Sequence, residues 1–201
     1  MYCQNDPRWK DILLGKGEKT IGEVGCLLTC FAQLLTNYGH YYTPAELNQE
    51  FYKRGAFING NELPDDALES WSDIIWLPSI YSPQLKDFSV NPGEEIIIRL
   101  RSPKHFLIFK WLEGSQVIVA DPLSGNVVNF ASRYGSPWNN IYRLIRYNFD
   151  AELVNAIRAF QRAGIITNPS LWLENARPGK TITGENVRSL ILKTAPKLLN
   201  S

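Results

Sequence analysis

The spacing of apolar positions changes twice along the chain. From residue 26 to about 38, Leu27, Phe31, Leu34 and Leu35 recur at helical spacing with Leu28 beside them, and Gly39 supplies a stop. Thr43-Pro44-Ala45-Glu46 joins a capping Thr, a Pro at the first helical position and a Glu three residues after the cap. That predicts a second helix to about Arg54, closed by Gly55. A shorter helical stretch is expected within 61–75, and then irregular chain punctuated by Pro78, Ser82-Pro83 and Pro92-Gly93. After Gly93 the period shortens. Segments 95–100, 106–112, 117–120, 127–130 and 141–147 are short and β-rich, with turn residues between them, and read as an antiparallel meander. From Asp150 the helical period returns. Asp150 caps 151–163 with Leu153, Ile157 and Phe160 on one face. A last helix spans 184–199 with Val187, Leu190, Ile191 and Leu198 facing inward. Between these helices, Asn168-Pro169-Ser170 and Arg177-Pro178-Gly179 bracket an aromatic segment around Trp172. The pattern gives an α+β class: a helical half, then a sheet. Residues 1–149 form the main domain, and 150–201 form a two-helix module packed on it.

Composition narrows the function classes. The 201 residues are 44% apolar and 20% charged, with a formal net charge of +1, so no nucleic-acid or anionic-membrane surface is indicated. No apolar run approaches the ~20 residues of a membrane span. The first residues carry no hydrophobic signal segment. The chain is therefore expected to be made in a reducing cytoplasm, with action at a cell wall requiring release by lysis or another route. Three cysteines are odd in number and too few for a disulfide framework. With two histidines, and with Cys26 and Cys30 lacking zinc-ligand spacing, no metal or cofactor is expected.

The chemistry centres on Cys26. A polar loop, Thr20-Ile21-Gly22-Glu23-Val24-Gly25, runs into this cysteine where an apolar helix begins. Unpaired N–H groups and the positive end of a helix dipole favour thiolate, the nucleophilic form. A base must come from His40 or His105. His40 lies beyond the end of the same helix, roughly 18 Å away at ~1.5 Å per residue. His105 opens a strand after the Ser102-Pro103-Lys104 turn, in a position expected to be exposed at a cleft. If Leu112 pairs with Gln116, Leu107 falls opposite Asp121. His105 and Asp121 then share one face as a diagonal pair, ~7–8 Å apart at the backbone. Asp121 would orient the imidazole. Backbone N–H groups at the helix start, including that of Cys26, would serve an oxyanion together with a side-chain amide, for which Gln4 is a candidate. Cys30, one turn on, reads as packing. Cys3 reads as a rim thiol that an oxidative link to Cys26 could engage. The six Trp are expected to be mostly core.

Gln4-Asn5-Asp6-Pro7-Arg8-Trp9, Thr20-Ile21-Gly22 with Gly25-Cys26 and Thr29, His105-Phe106 and Asp121-Pro122 together resemble the papain-like cysteine peptidases of the bacteriocin-leader-processing branch and their soluble relatives. The resemblance covers residues 2–147 and implies a papain-like fold. It places the oxyanion donor at Gln4, the nucleophile at Cys26, the base at His105 and the orienting group at Asp121. Leu27-Leu28 stand where the family often has Gly-Pro, and Cys30 where a small residue is common; both bear on substrate preference. The tail resembles C-terminal segments of prophage and Gram-positive cell-wall hydrolases. It suggests a phage or bacterial endolysin whose partner is a peptide or peptidoglycan stem peptide, with the tail binding cell wall or another protein. Two other functions fit the same residues: a cytoplasmic protein-processing protease or deamidase, and a catalytically silent binding or virion-structural module.

Overall fold

The computed structural model describes residues 1–91, 93–169, 171–172 and 184–199, with side chains to residue 194. Six antiparallel strands form one sheet: β1 (Ile75–Tyr81), β2 (Glu94–Leu100), β3 (Phe106–Glu113), β4 (Gln116–Asp121), β5 (Asn126–Asn129) and β6 (Ile141–Asn148), in the order β1-β6-β2-β3-β4-β5. Strands β2 to β5 are the expected meander. The chain then returns across the sheet, so β6 pairs with β2 rather than with β5. The fold is thus α+β, with an antiparallel sheet.

Helices cover one face. Helix α1 (Ile21–Val24) is a single capped turn, α2 (Cys26–Asn37) follows after Gly25, and α3 (Pro44–Lys53) carries the Thr43–Glu46 capping box read from sequence. Phe31, Leu34 and Leu35 of α2 and Leu47 and Phe51 of α3 bury against Ile97, Ile108, Ala120, Ile145 and Tyr147 of the sheet. The opposite face carries Ile96, Ile98, Leu107, Phe109, Val119 and Leu144, covered by Phe88 and Phe130. Burial on both faces explains why Ile96-Ile97-Ile98 is apolar without alternation.

Several expectations are corrected. The 61–75 segment is mostly turns, with one 3-10 turn at Ala67–Ser70. It ends where β1 begins, and β1 runs on through Pro78 into chain expected to be irregular. Proline is accommodated because β1 is an edge strand whose register slips between Leu77 and Ile80. The 127–130 strand stops at Asn129, whose side chain caps α4 (Phe130–Tyr134) by accepting from the N–H groups of Ala131 and Ser132. Pro137 then starts α5 (Pro137–Asn140) where only a turn was expected.

The tail packs on β1. Asp150 caps α6 (Ala151–Arg162), as read from sequence, and Val154 and Ile157 join Ile165 and Ile166 against Ile75 and Leu77. Arg158 donates to Ile74 O at 2.9 Å. In α7 (Gly184–Leu199) Leu190 packs against this cluster, but Val187 and Ile191 are exposed, contrary to expectation, because neither joins the cluster that Leu190 reaches. Arg177-Pro178-Gly179, the Pro92 and Ser170 turn positions and the side chain of Leu198 lie outside the described residues.

Trp9 and Trp71 are core, whereas Trp111 and Trp138 are about half exposed. For these two the expectation of burial fails. Trp111 sits near the hairpin end of β3, and Trp138 lies on the short surface helix α5, which has no buried residue.

Candidate active site

The site forms where α2, the ends of β3 and β4, and the N-terminal arm converge. Cys26 does not follow a loop directly, as the sequence suggested. Thr20 and Glu23 form a capping box that starts α1 one turn earlier. Gly25 then bends the chain (φ −83°, ψ 16°) before α2. Glycine is required there because a Cβ would overlap Ile21 O and lie 2.7 Å from Ile21 Cγ2. The break also changes the local hydrogen bonding. In an uninterrupted helix, Gly22 O would accept the Cys26 N–H; here it accepts Nε2 of Gln4 at 2.8 Å. Cys26 itself is partly exposed, while Cys30 is fully buried. Burial, with the charges of Cys26 and Asp121, pushes the Cys30 thiol well up, so it is a packing residue.

His105 and Asp121 are paired as expected: Nε2 lies 2.9 Å from Asp121 Oδ1. The register that achieves this differs from the simple one. At the hairpin end Leu112 pairs with Val117, not Gln116, one position out of the expected register. A bulge between Phe109 and Trp111 leaves Lys110 as an extra residue. Beyond it Ile108 pairs with Ala120, so the ladder arrives at the expected alignment. His105 is also 7% exposed rather than open to solvent, because it lies under Asp121 and the ring of Tyr134, 6.0 Å away.

Asp121 has no exposed surface and is fully used. Oδ1 accepts from His105 and from the Leu123 N–H at 2.8 Å; Oδ2 accepts from Tyr134 OH at 2.7 Å and pairs with Arg133 Nε at 3.0 Å. Burial alone would raise its pKa. The hydrogen bonds from His105, Tyr134 and Leu123 outweigh this and hold the carboxyl below its usual range. Burial likewise disfavours imidazolium at His105. The hydrogen bonds to Asp121 and Cys26 and their charges prevail, raising His105 from 6.5 to about 9. Nε2 is committed to Asp121, leaving Nδ1 for the thiol. Tyr134 and Arg133 were not identified from sequence. The signal lay in Asn129 ahead of an aromatic pair, Phe130 and Tyr134, at helical spacing before Gly135.

The arm brings in Gln4. Its N–H donates to Pro122 O at 2.8 Å, beside the orienting carboxylate, and Trp9 Nε1 returns to Cys3 O at 2.8 Å. Gln4 is buried, and its Oε1 has no hydrogen-bond partner among the described residues. Cys3 is partly exposed, with Sγ 3.5 Å from Leu123 O. His40, set aside on distance, pairs instead with Asp73 at 2.7 Å.

A cleft of about 420 Å³ opens alongside, lined by Val24, Leu27, Leu28, Leu63, Arg99 and Phe106 among others. Val24 and Leu27 flank Cys26 in the chain, and Phe106 follows His105. Leu27 and Leu28 thus do reach a cleft, as the sequence suggested. Comparison of the chain with protein-family models, curated proteins and solved structures finds no match. Among the described residues no helix is long and apolar enough to cross a membrane.

Proposed function

We propose that the chain is a papain-like cysteine hydrolase that cleaves amide bonds, with a cell-wall stem peptide as the substrate class suggested by the resemblance of its tail. The observation that carries this reading is the buried His105–Asp121 hydrogen bond beside the partly exposed Cys26, with Asp121 first and Cys26 second in favouring imidazolium against burial.

The thiolate of Cys26 attacks the amide carbonyl carbon, and the carbonyl electrons move onto oxygen. The oxyanion is stabilised by the Cys26 N–H and by the second amide hydrogen of Gln4 Nε2, whose first is held by Gly22 O. His105 gives its Nδ1 proton to the amine as the C–N bond breaks, leaving a thioester on Cys26. Neutral His105 then takes a proton from water. The resulting hydroxide attacks the thioester, and the thiolate leaves as a carboxylic acid is released. Asp121 holds the ring through Nε2 in both steps. No proton passes to it.

Zymography on bacterial cell walls with the wild type and Cys26→Ala tests the proposal. Clearing by the wild type alone is the expected result. The absence of clearing by either protein counts against the cell-wall substrate. A Cys26 no more reactive toward iodoacetamide than a free thiol counts against the hydrolase itself.

A further inference from the structure

We infer that the cleft beside Cys26 selects substrates carrying a carboxylate, read by Arg99, Arg101 and Lys104. This rests on the hydrolase reading and names the chemistry of its substrate.

Arg99 lines the cleft that holds Leu27 and Phe106, the chain neighbours of Cys26 and His105, and also a second hollow of about 340 Å³, formed with Leu100, Arg101, Lys104 and Tyr142. The two cavities therefore meet at a guanidinium. They meet close to the base as well: Lys104 precedes His105, and Arg99 pairs across β2 and β3 with Phe106, the residue after it. No acidic side chain lines the second hollow.

The two guanidiniums are held mainly by aromatic faces and a neutral hydroxyl. The guanidinium carbons of Arg99 and Arg101 each lie 5.5 Å from the ring centroid of Tyr142, and that of Arg99 lies 5.7 Å from the Phe106 ring. Arg101 Nη2 donates to Ser82 Oγ at 3.0 Å, a neutral acceptor. Asp65 approaches Arg99 Nη1 only to 4.0 Å, and its carboxylate is paired with Arg143. Among the described residues no carboxylate lies within ion-pairing distance of Arg101 or Lys104. The first cleft is lined by Lys19 and Glu62, both exposed, and by Asp65 as well as Arg99. The positive charge without a carboxylate partner among the described residues thus lies in the second hollow, at Arg101 and Lys104, next to Arg99.

Two guanidiniums share the Tyr142 ring, and Lys104 lines the same hollow, so these cations repel one another until an anion joins them. A guanidinium fork suits a carboxylate, which it can bind through two parallel hydrogen bonds. Val24, Leu27, Leu28 and Phe106 provide apolar surface for the body of the same chain.

Paired peptidyl chloromethyl ketones test this, one with glutamate and one with glutamine, placed either first or second from the reactive group. The second-order rate of Cys26 alkylation is followed by intact mass. The wild type should favour the glutamate reagent at one of the positions by roughly tenfold at low salt, and less at high salt. In Arg99→Gln and in Arg101→Gln/Lys104→Gln the ratio should fall toward one. Equal rates at both positions in the wild type, or a preference that survives both variants, overturns the inference. Stronger competition by inorganic phosphate than by N-acetylglutamate also overturns it, in favour of a phosphate-bearing ligand. Rapid labelling by both reagents without preference defeats this inference alone. Labelling of Cys26 by either reagent no faster than that of a free thiol defeats the hydrolase reading with it.

Discussion

Replacing Asp121 by Asn separates the charge of the orienting group from its shape. The carboxamide oxygen can still accept from His105 Nε2 and the Leu123 N–H, now 2.9 and 2.8 Å from Oδ1. The amide nitrogen would replace Oδ2. Tyr134 can rotate its hydroxyl to accept from it, and Arg133, with a side chain 36% exposed, can turn to solvent. The imidazole therefore stays oriented but loses a buried anion. A hydrogen bond to a charged partner contributes about 1.5–3 kcal/mol, and one pH unit corresponds to about 1.4 kcal/mol, so the His105 midpoint should fall by roughly one to two pH units from about 9. The effect on stability has a definite sign. Because the folded value lies above the ordinary 6.5, the folded state binds the proton more tightly. That contribution, about 3 kcal/mol in the wild type, is complete below pH ~6.5 and is lost as pH rises through about 9. The wild-type advantage over Asp121→Asn should be widest from mildly acid to neutral pH, should narrow in alkali as His105 loses its proton, and should also be lost in strong acid as Asp121 is protonated. With two histidines in the chain, NMR of the imidazole Cε1–H groups reads the midpoint directly, with His40→Gln making the assignment. Thermal melts at about pH 6 and about pH 10 read the linkage. An unmoved His105 midpoint would refute the argument that Asp121 sets the charge of the imidazole.

Gln4→Ala should lower kcat for amide hydrolysis by about 10²–10³-fold while Cys26 remains open to iodoacetamide; a loss confined to KM would remove Gln4 from the oxyanion site. Gly25→Ala should destabilise the fold by about 1–3 kcal/mol, because the new methyl meets backbone at Ile21 O, and an unchanged melting temperature would contradict the tight α1–α2 junction. Deleting Lys110 should preserve the His105–Asp121 pair, since it removes the extra residue of the bulge and leaves the partners on either side in place. The cost should be small, about 0.5 kcal/mol from the lost attraction to Glu95, and loss of the elevated His105 midpoint in this variant would disprove the register.

What the sequence made legible, and what it hid, follows from the range of each interaction. The capping box at Thr43 and the Asp150 cap are local chemistry and appear where they were read. Cys26, His105, Asp121 and Gln4 were marked by short motifs, and the last three are joined by bonds to one another or to the turns beside them. The strand β1 was hidden because Pro78 argues against a strand unless that strand is an edge, and edge position is a property of the whole sheet. Tyr134 was hidden for a similar reason. Its hydroxyl matters only because α4 folds back over the end of β4, which no local pattern states.

The hairpin shows how a register argument can reach the right pair by the wrong route. From the turn, Leu112 opposite Val117 would carry a regular ladder to Ile108 opposite Asp121. His105 would then point to the face opposite the carboxylate, since side chains alternate along a strand. The extra residue at Lys110 reverses that alternation. Before it, Leu112 packs toward the α4 side; after it, Phe109 and Leu107 do. Asp121 shares parity with Val119 and Val117 on that same side, so the bulge is what allows His105 and Asp121 to meet in a chain of this length. The expected alignment lacked both the one-residue offset at the turn and the bulge, and the two omissions cancel at the site. The bulge is therefore part of the site's construction, although it lies five residues from His105 and touches none of the reacting groups.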